Sequence, residues 1–273
     1  MSILYLVATP IGNLEDFSPR AERILREVTL IAVEDTRVTG KLLARFDIHT
    51  EMTSYFDHNK SEKNDYILAK LAEGDVALVS DAGTPGINDP GYELVRAALA
   101  AGHRVSPIPG ASAPIAALVA SGLPTDSFLY LGYLPRKGKE RRAKLEEVAD
   151  FPYTLIFLES PHRLRASLAD MESVLGNREI AVARELTKLY EEFFRGKIDA
   201  ARAHFDAHPP RGEFTLVVAG QKPQNARWTE ASVGIALEAG IAAGESPSAL
   251  AKRIAKESGW ERRDVYKRIS LIK

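Results

Sequence analysis

Val79-Ser80-Asp81-Ala82-Gly83-Thr84-Pro85-Gly86-Ile87-Asn88-Asp89-Pro90-Gly91 is the stretch on which the reading of this chain turns. It follows an apolar run, Val76 to Val79, that reads as a buried strand. It precedes Tyr92 to Ala101, which reads as a helix closed by Gly102. Three glycines, two prolines and two aspartates lie within the loop. Glycine lets backbone come close to a ligand, and proline stiffens the turn. A rigid loop at the carboxyl end of a strand in an open α/β sheet is where such folds bind ligands, although a plain strand-to-helix turn uses the same residues. The loop is not a nucleotide fingerprint, since neither G-x-G-x-x-G at a strand-to-helix turn nor a Walker lysine motif is present.

The same strand–loop–helix alternation extends outward in both directions. Upstream, Ile3 to Ala8 reads as a doubly buried strand, followed by a Pro/Gly turn over Thr9 to Asn13. Ser18-Pro19 reads as the cap of a helix over Arg20 to Val28. Leu30 to Val33 is a strand that ends at Glu34-Asp35-Thr36-Arg37, and a helix over Thr39 to Phe46 follows. Met52 to Tyr55 reads as a short strand, and Asn59 to Glu73 as a helix with Ile67, Leu68 and Leu71 inward. Downstream come a strand at Arg104 to Ile108 and a small-residue helix over Ala111 to Ala120, with a domain boundary at Gly122-Leu123-Pro124-Thr125. Strands are then expected at Phe128 to Tyr133, Tyr153 to Leu158, Glu179 to Ala183, Glu192 to Arg195 and Phe214 to Ala219. Helices are expected at Gly138 to Val148, Leu164 to Leu175 and Asp199 to Phe205. Gln221 to Ala226 reads as a linker. The tail reads as two helices, one after Ser246-Pro247-Ser248 and one over Glu261 to Ile269, around Gly259, in the manner of a helix-turn-helix. The expectation is therefore an α/β fold with an N-terminal α/β domain over 1–122, a second over 123–220 and a small helical tail over 226–273.

Composition bounds the chemistry. The 273 residues include no cysteine, which removes disulfides, thiolate metal sites and thiol nucleophiles. The six histidines show no metal-ligand spacing, so no metal is expected. Neither a secretory leader nor an apolar run near the length of a membrane span is visible, so the expected place is the cytoplasm, with no membrane partner. Net charge is −1, yet cations cluster locally. Pro135 to Leu145 has six basic residues against one acid, and Leu250 to Lys273 has eight against three. Such patches neutralise phosphates within a near-neutral protein, and solvated helix faces have the same pattern.

Four stretches in this order resemble the tetrapyrrole-methylase (class III) superfamily of S-adenosylmethionine methyltransferases. They are Leu6-Val7-Ala8-Thr9-Pro10-Ile11-Gly12-Asn13-Leu14, the loop quoted above, Pro109-Gly110-Ala111-Ser112-Ala113, and Arg211-Gly212-Glu213-Phe214-Thr215-Leu216-Val217-Val218. Val33-Glu34-Asp35-Thr36-Arg37 and Glu159-Ser160-Pro161-His162-Arg163 are similar to the branch that methylates a ribose 2′-hydroxyl in small-subunit (16S) ribosomal RNA. That resemblance spans roughly residues 3 to 220. It implies a donor site in a cleft between two α/β domains, formed by Pro10, Asp81, Ala82, Gly83, Thr84, Ser112, Ala113, Leu158 and Phe214. It also implies a homodimer, and a cytidine of the decoding region as acceptor.

Methyl transfer from a sulfonium to a hydroxyl requires positioning and a group that takes the proton. Asp35 and Arg37 are the candidates for base and phosphate partner, with Glu34 as another base. A helix cap is the alternative for Asp35. Glu159, His162, Arg163, Arg184, Glu185 and Lys188 are further acceptor-side candidates, or a salt-bridge network. RNA contacts are expected from Lys137, Lys139, Arg141, Arg142, Arg163, Arg184, Lys188, Arg262, Arg263, Lys267 and Arg268. Apolar Tyr190, Phe193 and Phe194 are candidates for a dimer interface. Two other functions remain open from sequence: the same fold acting on a tetrapyrrole or protein acceptor, and a non-enzymatic RNA-binding assembly factor.

Overall fold

The computed structural model describes residues 2–56, 60–221 and 228–272. The expected linker over 221–226, apart from Gln221, and the expected helix start at Asn59 lie outside the described residues. The first sheet holds β1 (Ile3–Val7), β2 (Leu30–Val33), β3 (Met52–Ser54), β4 (Val76–Val79) and β5 (Arg104–Ile108), all parallel, in the order β3-β2-β4-β1-β5. Alternate residues of its strands face opposite sides. Leu4, Leu30, Ala32, Val76 and Leu78 pack on Ile67 and Leu71 of α3 (Lys60–Glu73) and on Leu94 and Ala98 of α4 (Tyr92–Ala100). Val7, Ile31, Val33, Ala77 and Val79 pack on Ala21, Ile24 and Leu25 of α1 (Pro19–Glu27) and on Leu43 of α2 (Thr36–Arg45). Both faces are covered, which is why these strands read as unbroken apolar runs. The α1 start is as its sequence reads: the Ser18 hydroxyl accepts the Ala21 amide, and Pro19 opens the helix. β1 and β4 are neighbours, but the helices after them go to opposite faces. The crevice at their carboxyl ends is therefore a switch point, where open α/β sheets take ligands.

The second sheet runs β6-β7-β10-β8-β9, with β6 (Phe128–Tyr133), β7 (Thr154–Glu159), β8 (Glu179–Arg184), β9 (Glu192–Lys197) and β10 (Phe214–Val218). Only β6 and β7 run parallel. One face carries α6 (Gly138–Glu146), α7 (Leu164–Leu175) and α8 (Ile198–Ala207), joined through Leu145, Leu168 and Phe205. The other face carries α5 (Ala113–Ser121), whose Ala117 and Leu118 pack on Ile156, Ala181 and Val217. The chain thus changes sheets before α5 rather than at Gly122, because the apolar side of α5 fits the second sheet. Both sheets belong to one compact unit, Met1–Ala149 with Tyr153–Ala219. Phe193 and Phe194, expected at an interface, pack inside this unit. Phe194 lies 5.2 Å from the His204 ring, and Phe193 joins the α5 face with Arg195 stacked 4.6 Å from its ring.

The second unit contains Gly220–Lys273 and Asp150–Pro152. Its described residues form three helices where the sequence suggests two: α9 (Glu230–Ala242), α10 (Pro247–Ser258) and α11 (Arg262–Ile272). Helix α9 is hard to read because Ile235 is exposed while Val233 and Leu237 are buried, so its apolar residues mark no single face. The turn at Gly259, in the left-handed conformation, is as expected. Val233, Leu237, Leu250, Ile254, Val265 and Ile269 form the core of this unit. Truncating a buried leucine costs roughly 2–5 kcal/mol. Leu237→Ala is accordingly expected to speed amide exchange throughout α10 and α11 while β7 amides keep wild-type protection, as native-state hydrogen exchange would measure.

Candidate functional site

Two loops meet at the switch point. The Thr9 amide donates to the Gly83 carbonyl (2.9 Å), and the Gly83 amide donates to the Thr9 carbonyl (3.1 Å). The Thr9 hydroxyl donates to the Ser80 carbonyl at 3.1 Å. Gly83 has φ +85°, a conformation that suits glycine. Its amide is committed to Thr9, so its part is to join the two loops rather than to read a ligand. The Thr84 hydroxyl donates to the Ala111 carbonyl (3.2 Å), which ties in the loop after β5. The second sheet closes against the same place. A Cβ on Gly12 would lie 2.4 Å from Cγ of Lys188 and 2.9 Å from Oγ1 of Thr187. That turn holds Glu185 and Thr187 at φ 48° and 65°, a strained geometry that recurs at ligand sites.

A cleft of about 300 Å³ opens here. Its apolar walls include Ile11, Ile87, Leu158, Leu186 and Phe214, and its polar groups include Ser112, Asn88, Tyr130 and Tyr133. Four carboxylates, Glu34, Asp81, Asp89 and Glu213, line it, and no lysine or arginine does among the described residues. Glu213 is paired with Lys188 at 3.0 Å. Burial pushes the carboxyls of Asp81 and Asp89 up and the Tyr130 phenol up to about 12. The Tyr130 hydroxyl is buried without a hydrogen-bond partner among the described residues. A second cleft, about 260 Å³, adjoins the first at Asp81, which lines both. Thr9, Pro10, Gly12, Leu14, Val38, Thr39, Lys41, Leu42, Arg45 and Ser80 complete it.

The structure brings Asp81, Ala82, Gly83, Thr84, Ser112, Ala113, Leu158 and Phe214 around the first cleft. Pro10 lies in the second instead. Ser112 begins α5 without using its side chain as a cap, which leaves its hydroxyl for a ligand. Phe214 is both core and cleft wall, 2% exposed. Asp35 and Arg37 line neither cleft. The Asp35 carboxylate caps α2 by accepting the Arg37 amide (2.8 Å) and pairs with the Arg37 guanidinium (2.6 Å). That partner holds its carboxyl down at about 2, a poor proton acceptor near neutrality.

Several expected RNA contacts prove structural. Glu159, 2% exposed, accepts from the Ser160 amide (2.8 Å), the Arg163 guanidinium (2.6 Å) and the Ser167 hydroxyl (2.5 Å). Arg163 also donates to the Leu134 carbonyl (3.1 Å), so its guanidinium belongs to the second sheet. Arg141 is 7% exposed and bound to Asp170 at 2.6 Å. Arg184 holds Glu192 and the Arg211 carbonyl, and Lys188 holds Glu185 and Glu213. Arg268 pairs with Glu230 and stacks 4.9 Å from the Trp260 ring. Lys137, Lys139, Arg142, Arg262, Arg263 and Lys267 are exposed, with Arg142 also paired to Asp170 (3.1 Å) and Lys137 to Glu140 (3.2 Å). Sequence reasoning passed over Asp89, Glu213, Tyr130, Tyr133, Lys41 and Arg45. Asp89 and Glu213 stood inside quoted stretches. Lys41 and Arg45 share an i, i+4 face, which was a readable signal.

Comparison with known proteins gives three results. The family model of the tetrapyrrole (corrin/porphyrin) methylases matches residues 3–202. Ribosomal RNA small subunit methyltransferase I of Halalkalibacterium halodurans is 50% identical, with 96% of this chain and 93% of that protein covered. The Bacillus subtilis protein of the same name is 43% identical, covering 97% and 93%. Among solved structures, a cobalt precorrin-4 methyltransferase superposes with a TM-score of 0.60 at 15% identity, covering 80% of this chain and 94% of that one. The uroporphyrin-III C-methyltransferase of Thermus thermophilus, complexed with S-adenosyl homocysteine, gives 0.55 at 20% identity, covering 80% and 97%. At these identities the likeness is one of fold.

The lowered Asp35 carboxyl makes a pH prediction. Its folded value, about 2, lies below its ordinary 3.8. The stabilisation is therefore complete above about pH 4 and fades as pH falls towards 2. In urea titrations over this window, Asp35→Asn should lose less stability on acidification than the wild type; identical slopes would mean the Arg37 pair does not persist in solution.

Proposed function

This chain belongs to the tetrapyrrole methylase family and, within it, to the ribosomal RNA small subunit methyltransferase I group, and on that premise we propose that it transfers a methyl group from S-adenosylmethionine to the ribose 2′-oxygen of a cytidine in the decoding region of small-subunit (16S) ribosomal RNA. The observation that carries the donor side is the first cleft, with four carboxylates and no basic residue among its lining side chains. S-adenosylmethionine, when bound, supplies an electrophilic methyl carbon on a positively charged sulfur that leaves as a neutral thioether. A cationic ligand suits carboxylate walls, Leu158 and Phe214 offer an apolar surface, and the Ser112 and Tyr130 hydroxyls offer hydrogen bonds. A tetrapyrrole acceptor is disfavoured because the tetrapyrrole enzymes share only the fold, at 15–20% identity.

Asp81 is our choice of proton acceptor. One of its oxygens accepts the Asp35 amide (3.1 Å), which fixes the carboxylate at the place where the two clefts meet. Its raised pKa makes it a stronger base than Asp35. The exposed cations Lys137, Lys139 and Arg142 on α6, with Arg262, Arg263 and Lys267 on α11, are assigned to RNA phosphates. The cytoplasm follows as the place of action from the ribosomal substrate; among the described residues no helix is long and apolar enough to cross a membrane. A homodimer would cover apolar side chains left in solvent: Leu189 and Tyr190, and Ile115 and Val119 one turn apart on α5.

Incubation with labelled donor and undermethylated small ribosomal subunits tests the reaction. Mass spectrometry of the digested RNA should place the methyl on ribose, and a methylated nucleobase fragment sinks the assignment. Asp81→Asn should lower kcat by about 10²–10⁴-fold with RNA affinity kept, whereas Asp35→Asn should retain most of the turnover; the reverse ranking returns the base to Asp35. Light scattering should give twice the chain mass, and a monomer mass at every concentration removes the dimer.

A further inference from the structure

The second cleft differs from the first in charge and in what is left unpaired. Helix α2 presents Lys41 and Arg45 one turn apart, and neither makes an ion pair among the described residues. Val38 and Leu42 run beside them on the same face, and Leu14 faces in from the short 3₁₀ turn Leu14–Asp16. Val38 and Leu14 are 42% and 44% exposed, so they offer apolar surface at the rim of the cleft. A further feature is independent of charge. Thr39 is 2% exposed and lines the cleft, yet its hydroxyl has no hydrogen-bond partner among the described residues. A buried hydroxyl without a partner is destabilising, and a ligand that bonds it removes that cost.

We propose that this cleft receives the acceptor nucleotide: Lys41 and Arg45 take the phosphates that flank it, Leu14, Val38 and Leu42 shelter its base and sugar, and Thr39 hydrogen-bonds it, so that its ribose hydroxyl meets Asp81. The inference rests on the RNA-methylation reading and gives it a place on the molecule. Charge separates the two ligands. The carboxylate-lined cleft accepts a cationic donor and repels a phosphodiester, while the Lys41–Arg45 cleft does the opposite. Among the described residues Asp81 is the one carboxylate in the second cleft, and it lines both. Its position at the junction places the same residue beside a ligand in either cleft.

The test uses the full-length protein and a cytidine-containing fragment of the small-subunit decoding region. In Lys41→Ala/Arg45→Ala, RNA Kd and KM should rise at least tenfold and kcat should change less than threefold. Donor affinity by calorimetry should stay at the wild-type value. The log–log salt slope of RNA binding should flatten by roughly one to two units, one per lost phosphate contact. Lys41→Arg should restore most of the affinity. Thr39→Val, which keeps the shape and removes the hydroxyl, should weaken RNA binding without lowering Tm, a split that a purely structural threonine would not give. Wild-type RNA affinity and salt slope in the double variant would overturn the cleft assignment while leaving the methylation reading intact. RNA binding that depends on Lys41 and Arg45, without methyl transfer by the wild type, would keep the cleft and overturn the reaction.

Discussion

Two backbone hydrogen bonds, between Thr9 and Gly83, set the geometry on which the candidate site depends. Each contributes only about 1 kcal/mol net, but their position matters more than their strength. They bridge the loops after β1 and β4, adjacent strands whose helices leave for opposite faces of the sheet. The chain diverges there, and the bridge keeps the two loops together across the gap. Only a residue tolerant of φ near +85° fits the Gly83 corner. Asp81, two residues earlier, is thereby held with one oxygen on the Asp35 amide and its carboxylate facing two clefts.

Electrostatics then divides the work. A unit charge 4 Å from a carboxylate is worth about 4 kcal/mol at an effective dielectric near 20, so carboxylate walls distinguish a sulfonium from the neutral thioether it becomes. Under the proposed assignment of the donor to this cleft, the spent product is held less tightly, which favours turnover. A phosphodiester next to the same carboxylates would be repelled by a comparable amount. The proposed acceptor cleft keeps the two charges apart, with the cations of α2 in a cleft that Asp81 also lines.

Much of this was legible in the sequence, and the misses have physical causes. The parallel strands announced themselves because both sheet faces are covered, and Ser18-Pro19 and Gly259 marked helix ends by their backbone chemistry. Helix α9 escaped because its apolar residues lie on both sides of the helix. The Gly- and Pro-rich turns were readable as loops after strands, but their wiring was not: the Gly83 amide is taken by Thr9. Charged residues were the least legible. Arg141, Arg163 and Arg268 look like free cations in the sequence, yet each is held by an acid, Asp170, Glu159 and Glu230, that lies 29, 4 and 38 positions away. Asp35 looked like a base beside an arginine, and that same arginine is what lowers its basicity.

The two-sheet frame is shared with other methylases. The tetrapyrrole enzymes superpose over 80% of this chain at 15–20% identity, so the two-sheet frame tolerates almost complete replacement of its side chains. A frame of that kind positions a donor without choosing an acceptor. The choice must then lie in residues that the frame does not require. The exposed face of α2 qualifies: Lys41 and Arg45 lie outside the buried core, to which Thr39, Leu42 and Leu43 of that helix turn. The buried side of α2 is committed to the sheet, and its open side is free to differ with the acceptor, so a change of substrate on this fold needs no change in the packing that holds Asp81 in place.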